Sequence, residues 1–345
     1  MNREPITVWA IADGRPGHWN QVRGLIAALS QRVMVRDIAI PAPTRLYSMG
    51  ELLRRRWRAT DQYPAPDLII GAGHATHLPM LIARASRGGR AIVLMKPSLP
   101  ISAFDLCLIP DVQVKKSQSN VVATHGAVNC IRKNRSSGSL AGSAVPTLQA
   151  GNSFQVQRDH VSEPEVAARS DNFEGTILIG GPSRHVRWNS QDVLQQVFEV
   201  CTCSGDVRWH ISTSRRTPDD FYDALHGLGL LNATIVDGRE TGPDWLPNQL
   251  AQTDIAWVSS DSVSMVYESL TAGAKVGLLS VPIRQPFGKI GRNVRSLADR
   301  GDITLFEDWR ESRTLSSPLT ELNEADRCAE IILERFFRSN QAFAA

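Results

Sequence analysis

The sequence predicts an α/β protein built from two tandem doubly wound, Rossmann-like domains, and three observations lead there. Short β-branched apolar runs recur at the spacing of βα units through both halves of the 345-residue chain. The runs are continuously apolar rather than alternating, as expected of parallel strands covered by helices on both faces. Between the halves lies "NRSSGSLAGSAVPTLQAGNSF", rich in Ser, Gly and small residues and without a period.

In the first half the expected strands are "TVWAIADG" (7–14), "RVMVRDIAI" (32–40), "DLIIGAG" (67–73), "RAIVLMKP" (90–97), "FDLCLIP" (104–110) and "NVVATHG" (120–126). Helical segments such as "HWNQVRGLIAALS" and "HLPMLIARAS" separate them. The second half repeats the pattern with "GTILIGG" (175–181), "VRWHIST" (207–213), "ATIVDG" (233–238), "DIAWVSS" (254–260), "AKVGLLSVP" (274–282) and "DITLFED" (302–308). Here "NSQDVLQQVFEVCTC" and "GRNVRSLADR" are the expected helices. The organisation read from this is a first domain over 1–150, an irregular linker over 151–172, a second domain over 173–320, and a closing helical segment in 321–345 docked across the domain junction. Doubly wound sheets bind ligands outside the carboxyl ends of their strands, where the strand order switches. The expected site is therefore the cleft between the two domains.

Composition narrows the function. A chain with 42% hydrophobic and 21% charged residues is globular, and no apolar run approaches the roughly 20 residues of a membrane span. The opening "MNREPITVWAIADG" lacks the apolar core and small-residue cleavage site of a secretion signal, so a cytoplasmic protein is expected. Cys107, Cys130, Cys201, Cys203 and Cys328 form no CxxC pair and no zinc spacing, which reads as reduced structural thiols.

The net charge of +3 conceals an asymmetry: residues 1–150 carry 19 Lys and Arg against 8 Asp and Glu, and the remainder 19 against 27. The basic excess is concentrated in "TRLYSMGELLRRRWRAT", an expected helix holding Arg45, Arg54, Arg55, Arg56 and Arg58, helped by Lys115, Lys116, Arg132, Lys133 and Arg135. It reads either as a surface for an anionic partner, an anionic membrane among them, or as a solvated helix face. Aromatics are 6% and no stacking motif accompanies the arginines, so nucleic acid is not an expected partner.

Four strand-end loops hold the chemistry. The first is "DGRPGH", in which Gly14 and Gly17 let the backbone approach a ligand and His18 falls at the start of a helix. His18 is the candidate base for an acceptor hydroxyl, or it caps or packs; a helix N-terminus disfavours imidazolium. The loop is not a G-x-G-x-x-G, which disfavours a nicotinamide dinucleotide. The second is "GAGHATH", with Gly71, Gly73 and His74 on the side of a second substrate. His74 and His77 stand three apart without a third ligand at metal spacing, so no metal site is expected.

The third loop is "GGPSRH", where N–H groups of Gly180 and Gly181, the Ser183 hydroxyl and the Arg184 charge form a candidate anion cradle. The fourth is "SDSVSMVYE". Asp261 or Ser262 is the expected helix cap, Ser262 and Ser264 offer hydroxyls to a phosphate, and Glu268 offers a carboxylate to the ribose diol of a nucleotide. On pattern alone the cluster reads equally as generous capping.

These loops, in this order, resemble a GT-B glycosyltransferase, and more closely the mitochondrial-fission elongated-mitochondria family of plant fission proteins and bacterial glycosyltransferase-like proteins. The segments that match are "DGRPGHWNQVRGLIAAL", "FDLCLIP" followed by Asp111, "THGAVN", "IGGPSRHVRW" and "SDSVSMVYESLTAGAKVGLLSVP". The last is similar to the donor-binding helix of the transferase that makes lipid II, where an acidic residue in the place of Glu268 holds the ribose. His18 matches the histidine of that enzyme's first glycine-rich loop. The segment "FGKIGRNVRSL" lacks the His-Gln pair that precedes the matching Asn, and 134–172 does not match the family.

The resemblance implies a GT-B arrangement. It also implies a nucleoside diphosphate sugar as co-substrate, no cofactor or metal, a glycolipid or cell-surface glycan precursor as acceptor, and a cytoplasmic place. The basic first half, with Arg54, Arg55, Arg56 and Arg58, would hold such an enzyme peripherally on the inner membrane. His18 and Asp13 are assigned to catalysis. Gly180, Gly181, Ser183, Arg184, Ser262, Ser264 and Glu268 are assigned to the donor, and Gly14, Gly17, Gly71, Gly73 and His74 to the acceptor side. Two alternatives stand beside this: a non-catalytic membrane-associated adaptor of mitochondrial-fission-factor type, and a nucleotide-sugar hydrolase or epimerase on the same fold.

Overall fold

The computed structural model describes residues 4–43, 57–114, 118–132, 173–318 and 321–337. The chain divides into two compact units, one of residues 1–131 with 322–345 and one of residues 132–321. The expected linker over 151–172, and the arginines at 45, 54, 55 and 56 with Lys115, Lys116, Lys133 and Arg135, lie outside the described residues.

The first unit opens with β1 (Ile6–Ala12), α1 (Pro16–Ser30), β2 (Val35–Pro41), β3 (Leu68–Ala72) and α2 (His74–Arg87). It continues with β4 (Arg90–Leu94), β5 (Leu106–Pro110) and β6 (Val121–Thr124). The six strands pair in parallel in the order β2-β1-β3-β4-β5-β6. Both faces of the sheet are apolar, as the unbroken runs require. Val8 and Ala10 of β1 pack with Val22, Leu25 and Leu29 of α1, while Trp9 and Ile11 join Met80, Ile82 and Ala83 of α2 on the other face. Sheet order reverses between β1 and β3, so the loops after these two strands share the switch point.

The second unit holds β7 (Phe173–Leu178), α3 (Ser190–Thr202), β8 (Val207–Ser212), α4 (Asp219–Gly227), β9 (Ala233–Val236), α5 (Trp245–Leu250) and β10 (Ile255–Ser259). After these come α6 (Val263–Thr271), β11 (Lys275–Leu279), α7 (Lys289–Asp299), β12 (Ile303–Leu305) and α8 (Phe306–Ser312). Its parallel order is β12-β11-β10-β7-β8-β9, with the switch between β7 and β10. The core gathers Trp209, Phe221, Trp257, Phe306 and Trp309, and Trp257 meets Trp309 edge to face at 5.1 Å between ring centres. The expected strand "DITLFED" ends at Leu305, because Phe306 turns into α8 and buries its ring against Trp257.

The closing helix, α9 (Glu324–Phe336), belongs to the first unit. Cys328, Ala329 and Ile332, all buried, enter the core beside Leu25 and Leu29 of α1. Arg32 bonds Asp326 at 3.0 Å and Glu330 at 2.9 Å across the two helices. These partly exposed pairs contribute little, about 0–1 kcal/mol each, so the apolar contact holds the helix. Cys107, Cys201 and Cys328 are buried, and that burial pushes each thiol up to about 12.

Candidate functional site

The loop from β1 to α1 brings Asp13 and His18 together. Asp13 Oδ2 lies 2.7 Å from His18 Nδ1, with the carboxylate 3% and the imidazole 19% exposed. Asp13 Oδ1 accepts the N–H of Arg15 at 3.1 Å, which fixes the carboxylate. A neutral ring that donates its Nδ1 proton to Asp13 keeps an acceptor lone pair on Nε2. Gly73, the residue before α2, has φ 87. A Cβ there would strike the His18 ring and stand 2.8 Å from Asp13 Oδ2. Only glycine allows this closeness at this backbone angle.

His18 faces a cavity of about 360 Å³ whose wall also includes Arg15, His74, Met95, Lys96 and Gln113. The loop after β4 is bent by Met95, at φ 68 in the left-handed region where non-glycine residues carry strain. Buried His77 accepts the Ser98 N–H on Nδ1 at 3.2 Å. Burial, then the neighbouring His74 and His18, lower its pKa to about 4. Its Nε2 has no hydrogen-bond partner.

His74 is exposed at the start of α2, and Gly14 and Gly17 are exposed on the loop and the first turn of α1. Gly71 departs from its assignment to the acceptor side: it lies inside β3, buried against Met80 and Thr76, so it serves packing. Asp111 and His125, each within a segment that carried the family resemblance, meet at 3.4 Å where β5 and β6 end.

In the second unit the loops after β7 and β10 interlock. The N–H groups of Gly180 and Gly181 are not free, as an anion cradle would have them. Gly180 donates to Ser259 Oγ at 2.7 Å and Gly181 to Asp261 Oδ2 at 3.2 Å. A Cβ on Gly180 would run into the Asp261 carboxylate. Asp261 is also not the helix cap. Its fully buried side chain receives Arg216 at 2.7 Å, and its Oδ1 has no partner. Arg216 in turn donates to the Gly181 carbonyl at 3.0 Å, while Ser214 Oγ donates to the Gly180 carbonyl at 2.8 Å. Ser262 takes the N-cap position of α6 without a side-chain cap bond.

Ser264 is exposed. Ser183 Oγ accepts the His185 N–H at 3.2 Å, and exposed Arg184 donates to His185 Nε2 at 3.1 Å. Glu268 is half-buried on α6. Desolvation pushes its carboxyl up to about 7, and among the described residues nothing hydrogen-bonds to it. Its neighbour Tyr267 donates to Asn293 Oδ1 of α7 at 3.1 Å, tying the two helices together.

Sequence reading missed Ser214 and Arg216 after β8, and Met95, Lys96, Ser98 and Gln113 around the first cavity. The available signals were "STSRRTP", hydroxyls and paired arginines at a strand end, and "LMKPS" after β4.

A family model described as mitochondrial fission ELM1 matches residues 16–336. The chain belongs to this family. No curated protein sequence matches it. The fold of this ELM1-family chain is similar to that of MnaA from S. aureus in complex with UDP, at TM-score 0.53 and 11% identity, covering 99% of this chain and 98% of that one. It is also similar to a UDP-GlcNAc 2-epimerase from Neisseria meningitidis bound to UDP-GlcNAc (TM-score 0.53, 9% identity, 95% and 100% covered). A third likeness is to the UDP-GlcNAc 2-epimerase of Methanocaldococcus jannaschii, at TM-score 0.52 and 11% identity over 95% and 100% of the two chains. At these identities the likeness is one of fold, and the ELM1-family chain has the two-unit GT-B-like α/β architecture. Among its described residues no helix is long and apolar enough to cross a membrane, and no three His, Cys, Asp or Glu are placed to hold a metal ion.

Proposed function

We propose that the chain is a glycosyltransferase that moves a sugar from a nucleoside diphosphate donor onto a hydroxyl of a glycolipid or cell-surface glycan precursor. The observation that carries this reading is the Asp13–His18 pair in the wall of the first unit's cavity. With Asp13 holding Nδ1, Nε2 of His18 is the general base. The acceptor oxygen attacks the anomeric carbon and loses its proton to Nε2. The bond from that carbon to the diphosphate breaks, and the nucleoside diphosphate leaves.

The donor falls to the second unit in this reading. Glu268 accepts hydrogen bonds from the ribose diol, which supplies the partners its carboxyl lacks. Arg184 and the uncapped start of α6 offset the charge of the leaving diphosphate, so the proposal takes no cofactor and no metal. A fold shared with proteins that bind UDP and UDP-GlcNAc supports a uridine nucleotide as the first donor to try. The arginine-rich stretch 45–58 is assigned to an anionic membrane surface, where each cation close to the lipid contributes about 1 kcal/mol.

Product analysis with a labelled donor, with and without lipid acceptor, tests the reading. The expected result is acceptor-dependent label transfer that His18→Ala abolishes while nucleotide binding persists. Release of free or epimerised sugar without acceptor replaces the transferase by a hydrolase or epimerase. No nucleotide binding at all leaves the adaptor.

A further inference from the structure

The cavity of the first unit is more cationic than proton removal from a hydroxyl requires. Arg15 and Lys96, from the loops after β1 and β4, line it together with His18 and His74, and no residue of its wall carries a carboxylate. Asp13 stands behind His18 and is engaged with that ring. Among the described residues neither the Arg15 guanidinium nor the Lys96 ammonium meets an acid, and both side chains are exposed. α1 and α2 both begin at this cavity, with no side-chain cap on either. The positive ends of helices of 15 and 14 residues therefore add to the two full charges. Met95 holds the backbone of the β4 loop in its left-handed bend immediately before Lys96, a strained arrangement of the kind found at ligand clamps.

We infer that the acceptor is phosphorylated, with a phosphoryl or diphosphoryl group seated between Arg15 and Lys96 beside the hydroxyl that meets His18. This rests on the reading of the first unit as the acceptor side. Two cations match the charge of about −2 on a phosphoryl group at neutral pH. Arginine adds a two-pronged donor and lysine a compact point charge, the pair of chemistries that phosphate oxygens accept. A neutral glycan would bring no counter-charge, and a carboxylate would bring one charge and two acceptor oxygens where a phosphoryl group brings about two charges and three.

Side-chain NMR of the histidine rings in the full-length, ¹⁵N-labelled protein tests this, with inorganic pyrophosphate, inorganic phosphate and acetate as probes. Pyrophosphate is expected to shift the His18 and His74 resonances saturably, phosphate more weakly and acetate about tenfold more weakly. Arg15→Gln and Lys96→Gln are each expected to weaken pyrophosphate about tenfold, the loss of one charged hydrogen-bonding partner. The double variant should abolish the shifts. A short-chain prenyl diphosphate separates the sources: tighter binding than pyrophosphate marks a lipid-borne group, and equal binding a soluble one.

Unmoved His18 and His74 resonances, or equal affinity in the double variant, overturn the inference, as does acetate binding as tightly as pyrophosphate. UDP titrated into the same samples keeps this failure apart from failure of the transferase reading. Silent histidines with UDP still bound through Glu268 remove only the phosphorylated acceptor. Shifted histidines with no UDP binding keep the phosphate site and remove the transferase.

Discussion

Asp13 holds the His18 ring. With the carboxylate 2.7 Å from Nδ1, the ring is held in one tautomer and one orientation. Asp13→Asn keeps the volume and loses that constraint, because an amide can donate to Nδ1 as well as accept from it. If the chain is the proposed transferase, transfer falls by about 10²–10⁴-fold in kcat with the KM for the nucleotide sugar unchanged, measured by steady-state kinetics.

Glu268 offers a pH test. Desolvation raises its carboxyl from the ordinary 4.5 to about 7, so the folded state binds a proton that the unfolded state has released between those values. Stability is present at low pH and is lost as pH rises through this window, and Glu268→Gln escapes the loss. The variant should gain on the wild type by roughly 2 kcal/mol between pH 5 and pH 8, read from urea melts. At this scale the Asp13–His18 pair was legible because both residues fall within the short stretch "DGRPGH" where β1 passes into α1. The contact of Asp111 with His125 was not, since it depends on β5 and β6 lying side by side.

Between elements, the switch in strand order decides which loops can meet. β1 beside β3 brings Gly73 against His18, and β7 beside β10 brings Gly180 against Asp261. Runs of apolar residues announced all twelve strands but not their neighbours, which are set by packing across the sheet. For that reason the N–H groups of Gly180 and Gly181 looked available in the sequence, whereas the fold turns them onto Ser259 and Asp261. Arg216 escaped notice for the same reason, arriving from β8.

Its ion pair with buried Asp261 yields a stability prediction. Arg216→Ala leaves a carboxylate in the interior with only the Gly181 N–H to satisfy it. The cost is expected to be about 2 kcal/mol, below the usual 3–5 for a buried pair because Arg216 is 41% exposed. Adding Asp261→Asn should restore part of the loss in a double-mutant cycle by chemical denaturation. Purely additive losses would show that the two side chains are not coupled.

Over the whole molecule, the chain leaves the first unit near residue 131, builds the second, and returns with α9 to complete the core it left. The helical spacing of "ELNEADRCAEIILERFFRS" made the helix legible, but an amphipathic pattern does not name the surface it covers. Fully buried Ile332 is where that contact can be weighed. Ile332→Ala should destabilise the first unit by about 2–5 kcal/mol, seen by calorimetry, while the UDP binding proposed for the second unit is unchanged.

In the proposed reading the carboxyl of Glu268 holds a nucleotide on the second unit. Hydrogen–deuterium exchange of the full chain with and without UDP tests it most directly. Slowed exchange is expected in residues 180–185 and 260–271 on adding UDP, with that protection lost in Glu268→Ala. Unchanged exchange in the wild type, or equal protection in the variant, would contradict it.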